Sequence, residues 1–244
     1  MLLLALSIAP GLAIILYIYR KDSYDKEPKK YLLASFLLGM LSTIPAIALE
    51  KAAAIIFGNT TGNSSIAFYA FFAFIVVAGS EEGCKFAMVK WYAYPKKNFD
   101  EPFDGIVYSV LVAMGFATVE NIFYVQQHGV GTAIMRMFLS VPAHAAFGTV
   151  MGYYIGLAKF NKEKSAGYLI MGLLLAMVFH GAFDFFLFLQ ESIQVRQYVS
   201  EGLLFAGAIV SYYFAVRFSL RSIRLHRELS RLDFEKRNNQ QPLQ

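Results

Sequence analysis

The sequence predicts an all-α, polytopic membrane helix bundle of about seven transmembrane helices, each able to cross a hydrocarbon core of about 30 Å. Three observations carry this expectation. Of the 244 residues, 57% are hydrophobic and 16% are charged, whereas a soluble domain usually carries about 25% charged residues. The apolar residues are gathered into runs that reach the roughly 20 residues a spanning helix needs. The lysines and arginines concentrate in alternate loops between those runs, as topology signals do.

The spans fall in order at 1–19, 31–57, 66–93, 103–125, 132–158, 166–189 and 199–219. The first run has no positive charge before it and a basic cluster after it. A secretory signal has the opposite flanks, so a retained helix is expected. Pro28 and Pro102 follow acidic residues and precede apolar runs, which suits the first turn of a helix. The second, third and fifth runs are longer than a span requires and are expected to tilt, protrude or break. Trp91, Tyr92 and Tyr94 beside Lys90 mark an aromatic belt with a snorkelling lysine. Residues 1–219 read as one membrane domain, and 220–244 as a basic cytoplasmic tail, an amphipathic helix that frays into a polar end. No internal repeat is visible.

The loops sort by charge. Loop 20–30 holds Arg20, Lys21, Lys26, Lys29 and Lys30, the third loop Lys96 and Lys97, and the fifth Lys159, Lys162 and Lys164. The intervening loops hold at most Arg196, and the tail is again basic. The positive-inside rule then puts the N-terminus outside and the C-terminus in the cytoplasm. The net charge of +5 is thus a topology signal and gives no reason to expect nucleic-acid binding. Cys84 is the single cysteine, so no intramolecular disulfide can form.

Within the third to sixth spans lie residues that a membrane disfavours. An Asp, Lys or Arg at a helix centre costs about 2.5–3.5 kcal/mol on the insertion scale, and such groups pair or meet water when they are kept. The third span carries Glu81, Glu82 and Lys85. Glu81 and Lys85, four apart, share a helix face and can pair; Glu82 can then point elsewhere, or one glutamate can stay protonated. Two close carboxylates suit general acid–base work. The fourth span carries Glu120 and Asn121. The fifth carries His144, followed at intervals of four by Gly148, Gly152 and Gly156, a smooth stripe for close helix packing. His144 continues that stripe, so it should face protein. The sixth carries His180 and Asp184, one turn apart, where the carboxylate can orient the ring. Counted at about 1.5 Å per residue, Glu81 and Glu82 come out roughly 22 Å below the outer surface. His144, His180 and Asp184 lie at roughly 10–20 Å by the same count, and Glu120 is shallower. The groups are expected to form either one cluster, with the third span tilted or starting late, or two layers of one cavity.

Glu81-Glu82-x-x-Lys85, Phe116-x-x-x-Glu120 and His180-x-x-x-Asp184 resemble the signature of the PrsW family of intramembrane proteases, itself similar to the type II CAAX prenyl endopeptidases. The Asp25–Lys29 loop, Asp104-Gly105 and the region of His144 also look family-like. The resemblance implies hydrolysis of a peptide bond in a membrane-anchored protein substrate, an anti-sigma factor in the best-known members, cut on its extracytoplasmic side. It implies an integral protein of a bacterial inner (cytoplasmic) membrane.

The expected catalytic set is Glu81, Glu82, Lys85, Glu120, His144, His180 and Asp184. One of Glu81 or Glu82 deprotonates a water, and Glu120 or the other glutamate shares the proton. His144 and His180 hold the water or stabilise the oxyanion, Asp184 orients His180, and Lys85 tunes the glutamates. Asn121 is a further donor. No cofactor is expected on this reading. A competing reading uses the same carboxylates and imidazoles as metal ligands, although no His-Glu-x-x-His pattern fixes a ligand set. Others are a proton-coupled transporter and an inert scaffold that binds a partner's transmembrane helix.

Overall fold

In a computed structural model, residues 1–239 are described, and they form an all-helical bundle with seven helices long and apolar enough to cross a membrane. Helix α1 spans Leu2–Lys21, α2 Lys29–Phe57, α3 Ile66–Ala93 and α4 Asp104–His128. Helices α5, Val130–Phe138, and α6, Ser140–Phe160, follow, then α7, Ser165–Phe188. A 3₁₀ turn and the short α8, Ile193–Arg196, lead into α9, Glu201–Asn239.

Two of the three long runs depart from straight α-helix. In α3 the stretches Phe72–Val77 and Val89–Ala93 are π-helical and flank the α-helical Ala78–Met88 that carries the glutamates. Widened turns of this kind are rare and frequent at functional sites. The fifth run breaks at Leu139 (φ −116°, ψ −72°) into α5 and α6. Pro142 sits in the first turn of α6, where its missing N–H costs nothing. Helix α9 runs unbroken for 39 residues, about 58 Å at 1.5 Å per residue. Its C-terminal half lies on the bundle: Arg227 Nε donates to the Lys21 carbonyl at 3.0 Å, and the Phe103 N–H donates to Ser230 Oγ at 3.2 Å.

Helix α4 is the core of the bundle, buried along most of its length and packed on α1, α2 and α6. Small residues make this possible. A methyl group at Gly115 would overlap the Phe36 backbone of α2, and one at Gly105 would overlap the backbone of Gly152 and Gly156 of α6. The expected glycine stripe therefore seats α6 on α4, with His144 turned inward and 4% exposed. Without a hydrophobic drive between helices in lipid, this close backbone approach is what van der Waals packing requires. Apolar side chains such as Leu41, Ile44, Ile170, Val178 and Phe214 face outward, as lipid contact demands.

Candidate active site

The glutamates, lysine and histidines of α3, α4, α6 and α7 meet in one hydrogen-bonded cluster. Lys85 Nζ is its hub. It donates to Glu81 Oε2 at 3.0 Å and to Glu82 Oε1 at 2.8 Å, and lies 3.2 Å from His144 Nδ1. The ammonium also sits 4.0 Å from the centroid of the Phe116 ring, a favourable cation–π placement. Lys85 thus holds both glutamates. Of the two openings for Glu82, the structure does not take the one in which it points elsewhere, because the lysine stem reaches the i−3 and i−4 positions together.

From Glu82 the network passes to α7. His180 Nδ1 lies 2.9 Å from Glu82 Oε1, and its Nε2 lies 3.1 Å from Asp184 Oδ2 and 4.0 Å from Glu81 Oε2. Both ring nitrogens therefore face carboxylates. An imidazolium satisfies both, and a neutral ring only one. The ring is clamped by Phe147 of α6, stacked at 4.9 Å and 15°. From His144 the network passes to α4 and α5: His144 Nε2 lies 2.8 Å from Glu120 Oε2, which pairs with Arg136 Nη2 at 3.1 Å.

All seven residues singled out in the sequence are brought together, in one cluster and not in two layers. The linear count of depth misleads for two reasons. The π-helical stretch ahead of Glu81 advances less per residue than an α-helix, and α5 and α6 are not one straight rod. Asn121 is not a free donor. Its Nδ2 donates to the Ser7 carbonyl at 2.8 Å and its Oδ1 accepts from Arg136 Nε at 2.9 Å. It ties α1 to α4 and steers Arg136.

The cluster opens into a cavity of about 850 Å³. Glu81, Glu120, His144, His180 and Asp184 line it, whereas Glu82 and Lys85 sit behind the wall. Glu82 is 0% exposed, and its Oε2 has no hydrogen-bond partner. Three charged lining residues were not singled out in the sequence: Glu50 and Lys51 of α2, and Arg136 of the separate helix α5. The second span thus does contribute a polar group to the site. Phe72, Phe116, Phe123, Phe183 and Phe205 supply apolar wall. Such a cavity suits an apolar polypeptide segment with a few polar groups fixing its orientation.

The same donors could hold a metal ion. Glu81, Glu82, His144 and His180 each offer one ligand atom, and these four atoms lie within 4.8 Å of one another.

A family model described as PrsW family intramembrane metalloprotease matches residues 27–216. Protease PrsW of Geobacillus kaustophilus is 40% identical over 189 residues, covering 78% of this chain and 81% of that protein. Protease PrsW of Bacillus subtilis is 37% identical over 186 residues, covering 76% and 82%. That of Clostridioides difficile is 38% identical over 195 residues, covering 77% and 80%. No solved structure matches the chain.

Proposed function

The chain belongs to the PrsW family of intramembrane proteases, and from that premise we propose that it cuts a single-pass membrane protein with a water activated by Glu81. That it is an integral membrane peptidase follows from family membership and the seven apolar helices. The choice of Glu81 over Glu82 rests on one observation: Glu81 lines the cavity, and Glu82 does not.

In this mechanism Glu81 takes a proton from a water in the cavity, and the water oxygen adds to the scissile carbonyl carbon. Charge develops on the carbonyl oxygen beside the His144 and His180 rings, which line the cavity and stabilise it electrostatically while their N–H groups stay bonded to carboxylates. As the C–N bond breaks, Glu81 returns its proton to the leaving amine. Asp184 and Glu120 hold the two rings through bonds of 3.1 and 2.8 Å. Lys85 and Glu82 fix the position of Glu81 from behind the wall.

The family's description implies a metal, and the donors fit one. Two carboxylates and two imidazoles suit a zinc-class ion, and Glu82 Oε2 is buried without a partner. When bound, such an ion supplies Lewis-acid polarisation and an activated water. Lys85 bonds one atom of three of the four donor residues, Glu81 Oε2, Glu82 Oε1 and His144 Nδ1, so an ion would take their other donor atoms or displace the ammonium.

The substrate class proposed is an anti-sigma factor cut on its extracytoplasmic side, in a bacterial cytoplasmic membrane. Its support is the family and its Bacillus relatives. The test is cleavage of candidate single-pass substrates in proteoliposomes. Glu81→Gln should lower kcat by about 10²–10⁴-fold, the usual weight of a general base. If wild type, Glu81→Gln and Glu82→Gln cleave alike, the glutamate reading is wrong. Elemental analysis with chelator treatment separates the two chemistries. Activity that survives with no stoichiometric metal assigns the water to the glutamate alone. Loss restored by Zn²⁺ assigns the four donors to an ion.

A further inference from the structure

A second buried acidic cluster lies at the other end of α4, about 24 Å from Glu120 at 1.5 Å per residue. Asp22 follows α1, Glu27 precedes α2, Glu101 precedes α4, and Asp104 opens α4. Their exposures are 0%, 4%, 1% and 0%. Among the described residues, no lysine or arginine forms an ion pair with any of the four.

Each carboxylate uses at most one oxygen locally. Asp104 Oδ2 accepts from the N–H groups of Asp100 and Glu101 at 2.9 and 2.8 Å. Asp22 Oδ2 accepts from the Glu27 N–H at 3.3 Å, and Glu27 Oε2 accepts from the Tyr108 hydroxyl. Five buried oxygens remain without a partner: Asp22 Oδ1, Glu27 Oε1, Asp104 Oδ1 and both oxygens of Glu101. Ser230 stands beside Glu101: its hydroxyl oxygen accepts from the Phe103 N–H at 3.2 Å, and its hydrogen faces the carboxyl closely enough to favour the charged form, without a hydrogen bond of ordinary geometry. Buried polar groups are nearly always satisfied in native proteins. A proton shared between the neighbouring Glu27 and Asp104 carboxyls satisfies at most two of the five, and the three oxygens on Asp22 and Glu101 still call for a missing partner.

Asp22, Glu101 and Asp104 each offer an oxygen, and these three oxygens lie within 4.8 Å of one another. Two ion–oxygen bonds of about 2.3–2.6 Å span such a separation. We propose that Asp22, Glu101 and Asp104, with Glu27 alongside, form a binding site for a hard divalent cation, Mg²⁺ or Ca²⁺. The all-oxygen donor set selects this class over zinc or copper. The bound cation joins the end of α1, the loop before α2, the loop before α4 and the first turn of α4. It thereby pins the end of α4 opposite the peptidase cluster. Burial raises Asp22 to about 6, Glu27 to about 7 and Glu101 to about 8. Protons are therefore the rival occupants of these carboxyls.

The test uses full-length protein in detergent, stripped with chelator and titrated with Mg²⁺ or Ca²⁺. With cation about 100-fold above Kd, Tm should rise on the order of 5 °C. The rise should vanish in Glu101→Gln and Asp22→Asn and persist in Glu81→Gln. The relative shifts tell which of the two ions the site prefers. If those variants do not fold, Tb³⁺ luminescence of the wild type excited through tyrosine decides. Emission competed off by Ca²⁺ or Mg²⁺ and weakened by Tyr108→Phe supports the site. No Tm change and no competed emission overturns it, and protons then satisfy the carboxyls. A response kept in Glu101→Gln but lost in Glu81→Gln also overturns it, by assigning the cation to the peptidase cluster.

Discussion

Lys85 Nζ lies 3.2 Å from His144 Nδ1, and this one contact fixes the tautomer of the histidine. An ammonium has no acceptor, so Nδ1 must accept and Nε2 carries the hydrogen. That hydrogen points at Glu120 Oε2, 2.8 Å away. Lys85→Met would remove the shared partner of two buried glutamates and free the ring to change tautomer. Breaking a buried ion pair costs about 3–5 kcal/mol, which corresponds to a fall in Tm on the order of 10 °C for a chain of this size. Cleavage should be lost with it. An unchanged Tm would mean that Lys85 does not hold the glutamates.

The Glu120–Arg136 pair should be coupled. Its N–O distance is 3.1 Å, and the side chains are 21% and 13% exposed. Glu120→Gln, Arg136→Gln and the double variant form a cycle. A coupling of about 1–3 kcal/mol in thermal stability is expected, within the range for residues in contact. Additive effects would show that Arg136 serves the cavity independently of Glu120.

Helix α4 tolerates no side chain where it crosses α2. Gly115→Val would overlap the Phe36 backbone, and overpacking of this kind costs about 1–3 kcal/mol or more. Gly167, with nothing within 4 Å of an added methyl group, is the control. Thermal melts of the two valine variants should separate clearly. Equal Tm values would contradict the close α2–α4 approach.

How far the site was legible depends on where each residue sits. Glu81, Glu82, Lys85, Glu120, His144, His180 and Asp184 stand inside apolar runs, where a charge has no solvent to explain it. Glu50 has Lys51 beside it near the end of a long run, so it passes for a boundary charge. Arg136 lies in the first turns of a run whose break at Leu139 leaves only Pro142 as a signal. The acidic residues Asp22, Glu27 and Glu101 lie in charge-dense loops, where solvation is the ordinary expectation. Only three-dimensional packing under α9 buries them. The π-helical stretches of α3 depend on packing and have no local sequence marker.

Membrane orientation can be tested on four loops. Loop 20–30, the loops after α3 and α6, and the C-terminal half of α9 carry the lysines and arginines, while the loops after α2, α4 and α7 hold at most Arg196. By the positive-inside rule we predict the α1 N-terminus outside and the end of α9 in the cytoplasm. The acidic cluster of Asp22 and Glu101 would then face the cytoplasm, and the α5 side of the cavity would lie nearer the outer surface. That suits a cut on the extracytoplasmic side of a substrate. Reporter fusions after Thr60 and His128 should read outside, and those after Lys97 and Lys162 inside. Reversal at all four would keep the helices but invert the protein, and with it the side of cleavage. Reversal at some but not all four would mean that at least one of the seven helices does not cross the bilayer, since each true span must switch the side of the loop that follows it.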